Sequence, residues 1–148
     1  MEFKGTFDVK RTIEAVKGFL INPKQFAECL TGLQSYETNN NVFKAIFKLD
    51  VSQMKIPHMT TLTASINANI IEKENSVEIN GDGRSAGVGI KFNIILGLKK
   101  DEGITRVNWF AKINLGMLSR LLGEENIRRI AEPNINHIIN CISSKLSY

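Results

Sequence analysis

Two hydrophobic periodicities occupy separate blocks of this chain, and their order constrains the fold more than any single motif. A strand comes first, in which Phe3, Gly5, Phe7 and Val9 alternate with polar residues. Two short helices follow. Residues 33–115 then read almost entirely in period two, and residues 117–146 switch to helical steps of three and four. Side chains on alternate strand positions share one sheet face, and those at i, i+3 and i+4 share one helix face. Short links between the strands favour antiparallel neighbours, because parallel pairs need long crossovers. The order predicts an α+β architecture, a curved antiparallel sheet wrapped around a long C-terminal helix. It also predicts an apolar cavity between the two, and a binding module before a catalyst.

Local signals place the boundaries. Thr12 caps a short helix running to Leu20, with Ile13, Val16, Phe19 and Leu20 on one side. Asn22-Pro23-Lys24-Gln25 starts a second helix: Asn suits the N-cap, Pro the first helical position, and Gln25 reaches back as in a capping box. Gly32 ends it. The turns are expected at Asn39-Asn40-Asn41, Glu74-Asn75, Ser85 to Gly87 and Asp101-Glu102-Gly103, with an irregular connection over residues 53–58. In the last helix Ile127, Ile130, Ala131, Ile135, Ile138, Ile142 and Leu146 form one broad apolar face. Pro133 falls on the outer side and is expected to kink the helix or start a second segment.

At 148 residues the chain fits one domain, residues 1–148, with a single sizeable core. No run approaches the roughly 20 apolar residues that span a bilayer, and the N-terminus lacks the apolar core of a signal peptide. A cytoplasmic location is the expectation. The net charge of +4 is spread in short doublets, unlike the concentrated basic face of a nucleic-acid reader. Cys29 and Cys141, the only cysteines, are each flanked by apolar residues at helical spacing. They read as buried free thiols, and a disulfide is not expected in a cytosolic setting. No set of metal ligands assembles at zinc-site spacing, and no cofactor is expected.

Three signatures resemble the G-chain (CoxG) family of carbon monoxide dehydrogenase, within the START-like, or helix-grip (SRPBCC), superfamily. The first is Asn22-Pro23 followed by Cys29-Leu30-Thr31-Gly32-Leu33, where the family usually shows Asp-Pro and then Cys-Leu-Pro-Gly. The second is Gly81-x-Gly83 before a hydrophobic strand. The third is Thr105, Trp109 and Ala111 leading to Gly116, Leu118 and Leu121-Leu122-Gly123. Together they cover nearly the whole chain, and they are structural signatures that name no catalytic residue. The resemblance implies a helix-grip fold with a hydrophobic pocket. It also implies association with a molybdenum-containing dehydrogenase, in maturation or membrane recruitment. Members often carry a C-terminal tail that contacts membranes. With the present sequence ending at Tyr148, at most peripheral membrane contact is expected.

The expected function is non-enzymatic binding of a lipid, isoprenoid or quinone-like molecule between the sheet and the final helix. Candidate pocket residues are Leu30, Phe47, Met54, Met59, Leu62, Ile66, Phe92, Trp109, Asn134 and Ile138. Met54 and Met59, with Pro57, read as a deformable mouth beside the second helix. Small inward residues, including Ala64, Ala68, Gly81, Gly83 and Ala111, are expected to leave space. Trp109 is expected beside the final helix. Asn134 flanks the inward helix face, where it can orient a polar head or bond to backbone loosened by Pro133. Gly81-Asp82-Gly83 is not a phosphate loop, because a strand follows it. His58, His137, Ser85 and Ser119 lack the partners of a catalytic constellation. The alternatives are a cyclase- or hydrolase-like enzyme acting on an aromatic or polyketide-like substrate, and a docking subunit with a filled core.

Overall fold

The computed structural model describes residues 1–147. Among them, seven strands form one antiparallel sheet: β1 (Glu2–Val9), β2 (Leu33–Asn39), β3 (Val42–Asp50), β4 (Thr61–Glu72), β5 (Ser76–Ser85), β6 (Val88–Asp101) and β7 (Ile104–Asn114). Their order is β1-β7-β6-β5-β4-β3-β2. Strands β2 to β7 are a meander of hairpins, and β1 returns to pair along β7, with Gly5 opposite Trp109. The expected turns are present. Asn40, Ala86, Gly87, Glu102 and Gly103 all take positive φ, as two-residue hairpin loops require.

The helices are α1 (Ile13–Leu20), α2 (Pro23–Phe26), α3 (Leu118–Leu122) and α4 (Glu124–Leu146). Thr12 Oγ1 accepts the Ala15 N–H at 3.2 Å, and Asn22 Oδ1 accepts the Lys24 N–H at 3.2 Å, with Pro23 in the first turn. Gln25 contributes its backbone N–H, to Asn22 O, in place of the expected side-chain reach. The second helix is shorter than its sequence suggests. It tightens into a 3-10 turn, Ala27–Cys29, before Gly32 leaves the segment at a φ of +80°.

The final helical block breaks at Gly123, whose φ of 83° no helix accommodates, and it runs on through Pro133 with no second segment starting there. Proline lacks an N–H and leaves the carbonyl one turn earlier without its helical partner. Here both Pro133 and Arg129 lie on the exposed side of α4, where that carbonyl stays open to solvent.

The largest correction concerns the cysteines. Cys29 and Cys141 are joined in a disulfide, with Cα atoms 5.5 Å apart across a sequence separation of 112. Helical spacing on each side correctly reports burial of Cys29 but says nothing about what faces it. The bond ties the 3-10 turn to α4, and Lys145 Nζ meets Glu28 Oε2 at 2.8 Å next to it.

Apolar packing concentrates at the two ends of the space between sheet and helix. One cluster joins Val9, Val16, Phe19, Leu20, Phe26, Phe43, Ala68, Val77, Val107 and Leu146. It is the underside of α1 and α2 against the sheet. The other joins Ile90, Leu118, Leu122 and Ile127, with Met54, Met59 and Leu62 packed partly buried against it.

Candidate functional site

The helix α4 is pinned at both ends and at one edge. Ile127 is buried near its start and Leu146 at its end; no side chain between them is fully buried. Near its start, Arg128 stacks over the Phe3 ring at 4.9 Å and donates to Glu2 O at 3.2 Å. Near its end come the disulfide and the Lys145–Glu28 pair. The inward residues of its middle, Ile130, Ala131, Asn134, Ile135 and Ile138, are half-buried. So are Phe47, Leu62, Ile66, Ile79, Phe92, Ile94, Leu96 and Trp109 on the inner face of the sheet. These mostly apolar side chains are neither packed shut nor fully exposed.

All ten candidate pocket residues are half-buried, and they fall into three groups. Leu30, Phe47 and Phe92 pack against the first cluster. Met54, Met59, Leu62 and Ile66 pack against the second. Trp109, Asn134 and Ile138 belong to neither; Trp109 lies on β7, and the other two lie on the middle of α4. Asn134 Nδ2 donates to Ile130 O at 2.9 Å, so its amide is engaged with its own helix one turn back.

Trp109 reaches the helix by a route the sequence does not announce. Strand β7 is interior to the sheet, and β1 is the strand at the edge beside α4. The indole lies across Gly5 of β1: a Cβ there would sit 2.7 Å from the ring. Where α4 crosses this edge, a recess of about 400 Å³ is lined by Phe3, Trp109, Ile135, Arg128 and Glu132, among others. The indole N–H is buried and meets no acceptor among the described residues.

The strand glycines do not hollow the sheet as expected. At Gly81 an added Cβ would fall 2.2 Å from the Phe92 ring, and at Gly83 it would fall 2.1 Å from Ser65 O. Gly81 lets a neighbouring ring lie flat on the strand, and Gly83 lets a neighbouring backbone come close. The space is already filled there.

The mouth segment is more ordered than an irregular connection. Residues 51–60 continue the β3–β4 hairpin. Val51 N–H donates to Thr60 O at 2.9 Å, and Ile56 and Met59 form a short bridge. A 3-10 turn, Ser52–Met54, and left-handed Lys55 and His58 fold the tip over. The Ser52 side chain, and then the Ser52 N–H that donates to Asp50 Oδ1 at 2.9 Å, hold the Asp50 carboxyl below its ordinary range.

The remaining polar candidates sit elsewhere. His58 and His137 are exposed. The Ser85 hydroxyl donates to Thr63 O at 2.8 Å and the Ser119 hydroxyl to Gly116 O at 2.8 Å, so each ties down backbone. On the outer face of the sheet, Asn69, Asn80, Asn93 and Lys112 share one cross-strand row, beneath a recess of about 460 Å³. Lys73, Asn93 and Asn80 all bond the Glu78 carboxylate and hold its pKa low. That recess is lined mostly by amides and charges that suit no apolar guest. No group of three or more potential metal ligands occurs among the described residues, and no helix is long and apolar enough to cross a membrane.

A curved antiparallel sheet gripping a C-terminal helix defines the helix-grip fold of the START-like superfamily, a ligand-binding fold. The CoxG family, the G chain of carbon monoxide dehydrogenase, matches residues 5–147, and the chain belongs to that family. No curated protein matches it by sequence. Solved structures share its fold at low identity. A conserved protein from Geobacillus kaustophilus superposes with a TM-score of 0.82 at 15% identity, covering 99% of this chain and 95% of that one. A START superfamily protein from Mycobacterium smegmatis gives 0.71 at 6% identity, covering 98% and 96%. The Zhui aromatase/cyclase from Streptomyces sp. R1128 gives 0.69 at 11%, covering 99% and 93%.

Proposed function

We propose that this chain is a non-enzymatic carrier or accessory protein that holds a lipid, isoprenoid or quinone-like molecule between the inner sheet face and α4. One observation carries the reading. The inward residues of the sheet and of the middle of α4 are mostly apolar yet only half-buried, while the two clusters beyond them are packed. A long flexible apolar guest would bury Phe47, Leu62, Ile66, Phe92, Trp109 and Ile138, gaining about 25 cal/mol for each Å² removed from water. The groups with displaced titration, Glu28, Asp50, Glu78 and Arg106, engage partners outside the cleft, which favours a carrier over an acid–base catalyst. Following the family, we place it in the cytoplasm beside a molybdenum-containing dehydrogenase, with peripheral membrane contact at most.

The test is uptake of cis-parinaric acid, followed by its own emission and by Trp109, the only tryptophan. Saturable binding, displaced by farnesol and accompanied by a shift in Trp109 emission, is expected. Absence of binding, together with no lipid or quinone in native mass spectra of protein from its own host, would overturn the reading.

A further inference from the structure

We infer that the recess on the outer face of the sheet is a binding site for a phosphorylated sugar or polyol, free in solution or as the headgroup of a lipid. The site lies on the sheet face turned away from α4 and stands independently of the carrier reading.

Four strands, β4 to β7, build the site in two cross-strand rows. Asn69, Asn80, Asn93 and Lys112 stand opposite one another in the first. Asn67, Asp82, Lys91 and Asn114 do so in the second, two residues along each strand. All of them line the recess of about 460 Å³. The asparagines are the unusual element. Asn is depleted in strands, yet every one of these four interior strands carries at least one here. A face that only meets water is served by residues that favour strands, as Thr61 and Thr63 do earlier on β4. Local choices that oppose the local rule concentrate at functional sites.

The free polar groups define the ligand. Two of the amides are held in place: Asn93 Nδ2 donates to Asn80 Oδ1 and, at 3.0 Å, to Glu78 Oε1, which Lys73 grips from the other side. Asn114 Oδ1 accepts the Gly116 N–H at 2.9 Å, which leaves its NH2 to donate. Asn67 and Asn69 make no side-chain hydrogen bond among the described residues, so each offers both a donor and an acceptor. A hydroxyl likewise donates and accepts, and a polyhydroxylated ring finds a partner at each amide. The charges give the site a direction. Lys91 on β6 and Lys112 on β7 make no ion pair or side-chain hydrogen bond among the described residues. They suit a phosphate, which Lys binds as a point charge. Asp82 on β5 is an acceptor only. It takes a hydroxyl and keeps the phosphate on the β6–β7 side. The one aromatic residue lining the recess, Phe92, has its ring against Gly81, so a nucleobase has no stacking platform there.

The experiment titrates the full chain with glucose-6-phosphate, and with glucose and inorganic phosphate as the two half-ligands. Binding is read by calorimetry and by heteronuclear NMR of backbone and asparagine amides. Saturation at about millimolar concentration or below is expected for the sugar phosphate, with each half-ligand about tenfold weaker. Shifts should fall on the outward residues of β4 to β7. Lys91→Met with Lys112→Met should weaken glucose-6-phosphate about tenfold and leave the response to glucose alone. Asp82→Ala should weaken it too, although the change removes a negative charge. These positions are exposed, and circular dichroism checks that each variant is folded. Vesicles containing phosphatidylinositol separate the two sources: sedimentation reversed by free inositol phosphate assigns a headgroup, and binding of soluble phosphates alone assigns a free ligand. Three results would overturn the proposal: no shifts and no heat with any phosphorylated probe, inorganic phosphate binding as tightly as the sugar phosphate, or tighter binding by Asp82→Ala. The last two mark a general anion patch. Uptake of cis-parinaric acid by the double lysine variant should equal that of wild type, so this site and the carrier reading fail separately.

Discussion

The two apolar clusters are built differently. At the end under α1 and α2, Val9, Val16, Phe19, Leu20, Phe26 and Val107 are buried among one another. Two capped helices and a disulfide reinforce that end. At the other end, the five-residue helix α3 and the folded tip at residues 51–60 bring Leu118, Leu122, Ile90 and Ile127 together. Met54, Met59, Ile56 and Leu62 remain only partly covered. Met117 and Leu121 turn outward, 66% and 68% exposed. The first end holds the fold together. The second carries two unbranched, adaptable methionines, Met54 and Met59, in the folded tip, the composition of a surface that yields to a guest. On the proposed reading, stability lies at one end and entry at the other.

The strongest test of that contrast is at the packed end. Phe19→Ala should lower unfolding free energy by about 3–5 kcal/mol, the range for a buried aromatic truncated in a core, measured by urea titration. Probe affinity per folded molecule should hardly change. A loss below about 1 kcal/mol would show that the packed end tolerates a cavity of that size. Midway, Gly81→Ala should cost about 1–3 kcal/mol by overpacking, because the Phe92 ring occupies the position of the new methyl group. Since Phe92 lines the proposed cleft, this variant should also change cis-parinaric acid affinity. A stability cost with unaltered binding would place Phe92 outside the guest's path.

At the entry end the expected effect on stability is smaller. Met54→Ala with Met59→Ala should cost about 1–2 kcal/mol, within the ordinary range for partly buried positions, while slowing probe uptake. If the pair costs as much as Phe19→Ala, the two ends are equally packed and the contrast collapses. The smallest effect concerns the surface pair beside the disulfide. The Lys145 ammonium holds the Glu28 carboxyl below its ordinary value. A carboxylate whose folded pKa is depressed stabilises above its unfolded pKa and loses that contribution as pH falls through the folded one. The melting temperature of wild type should exceed that of Glu28→Gln near neutrality, and the gap should close on acidification. A gap that persists in acid would assign the difference to something other than this charge.

Most of the architecture is legible in the residues. Period two over residues 33–115, the paired turn residues and the apolar stripe of the last helix each report a local geometry, and the fold has each where its period puts it. On the strands the same alternation tells inward from outward and picks out Phe47, Leu62, Ile66, Phe92 and Trp109; Leu30, Met54, Met59, Asn134 and Ile138 lie off the strands. Alternation does not tell how full the inside is. Gly81 and Gly83 read as space because glycine has no side chain, yet Phe92 and the Ser65 carbonyl reach into that space from neighbouring strands. Trp109 meets the final helix, as its inward position implies, but it does so from an interior strand, across Gly5.

By itself, then, the sequence determined the elements, their order and the sign of each face, because hydrogen bonding and side-chain direction repeat over a few residues. The tertiary structure alone decided the pairing of Cys29 with Cys141, the survival of α4 through Pro133 and the division of the apolar packing into two clusters. These depend on where one helix lies against a twisted sheet. That position is fixed by contacts between residues more than a hundred apart, which no local period records.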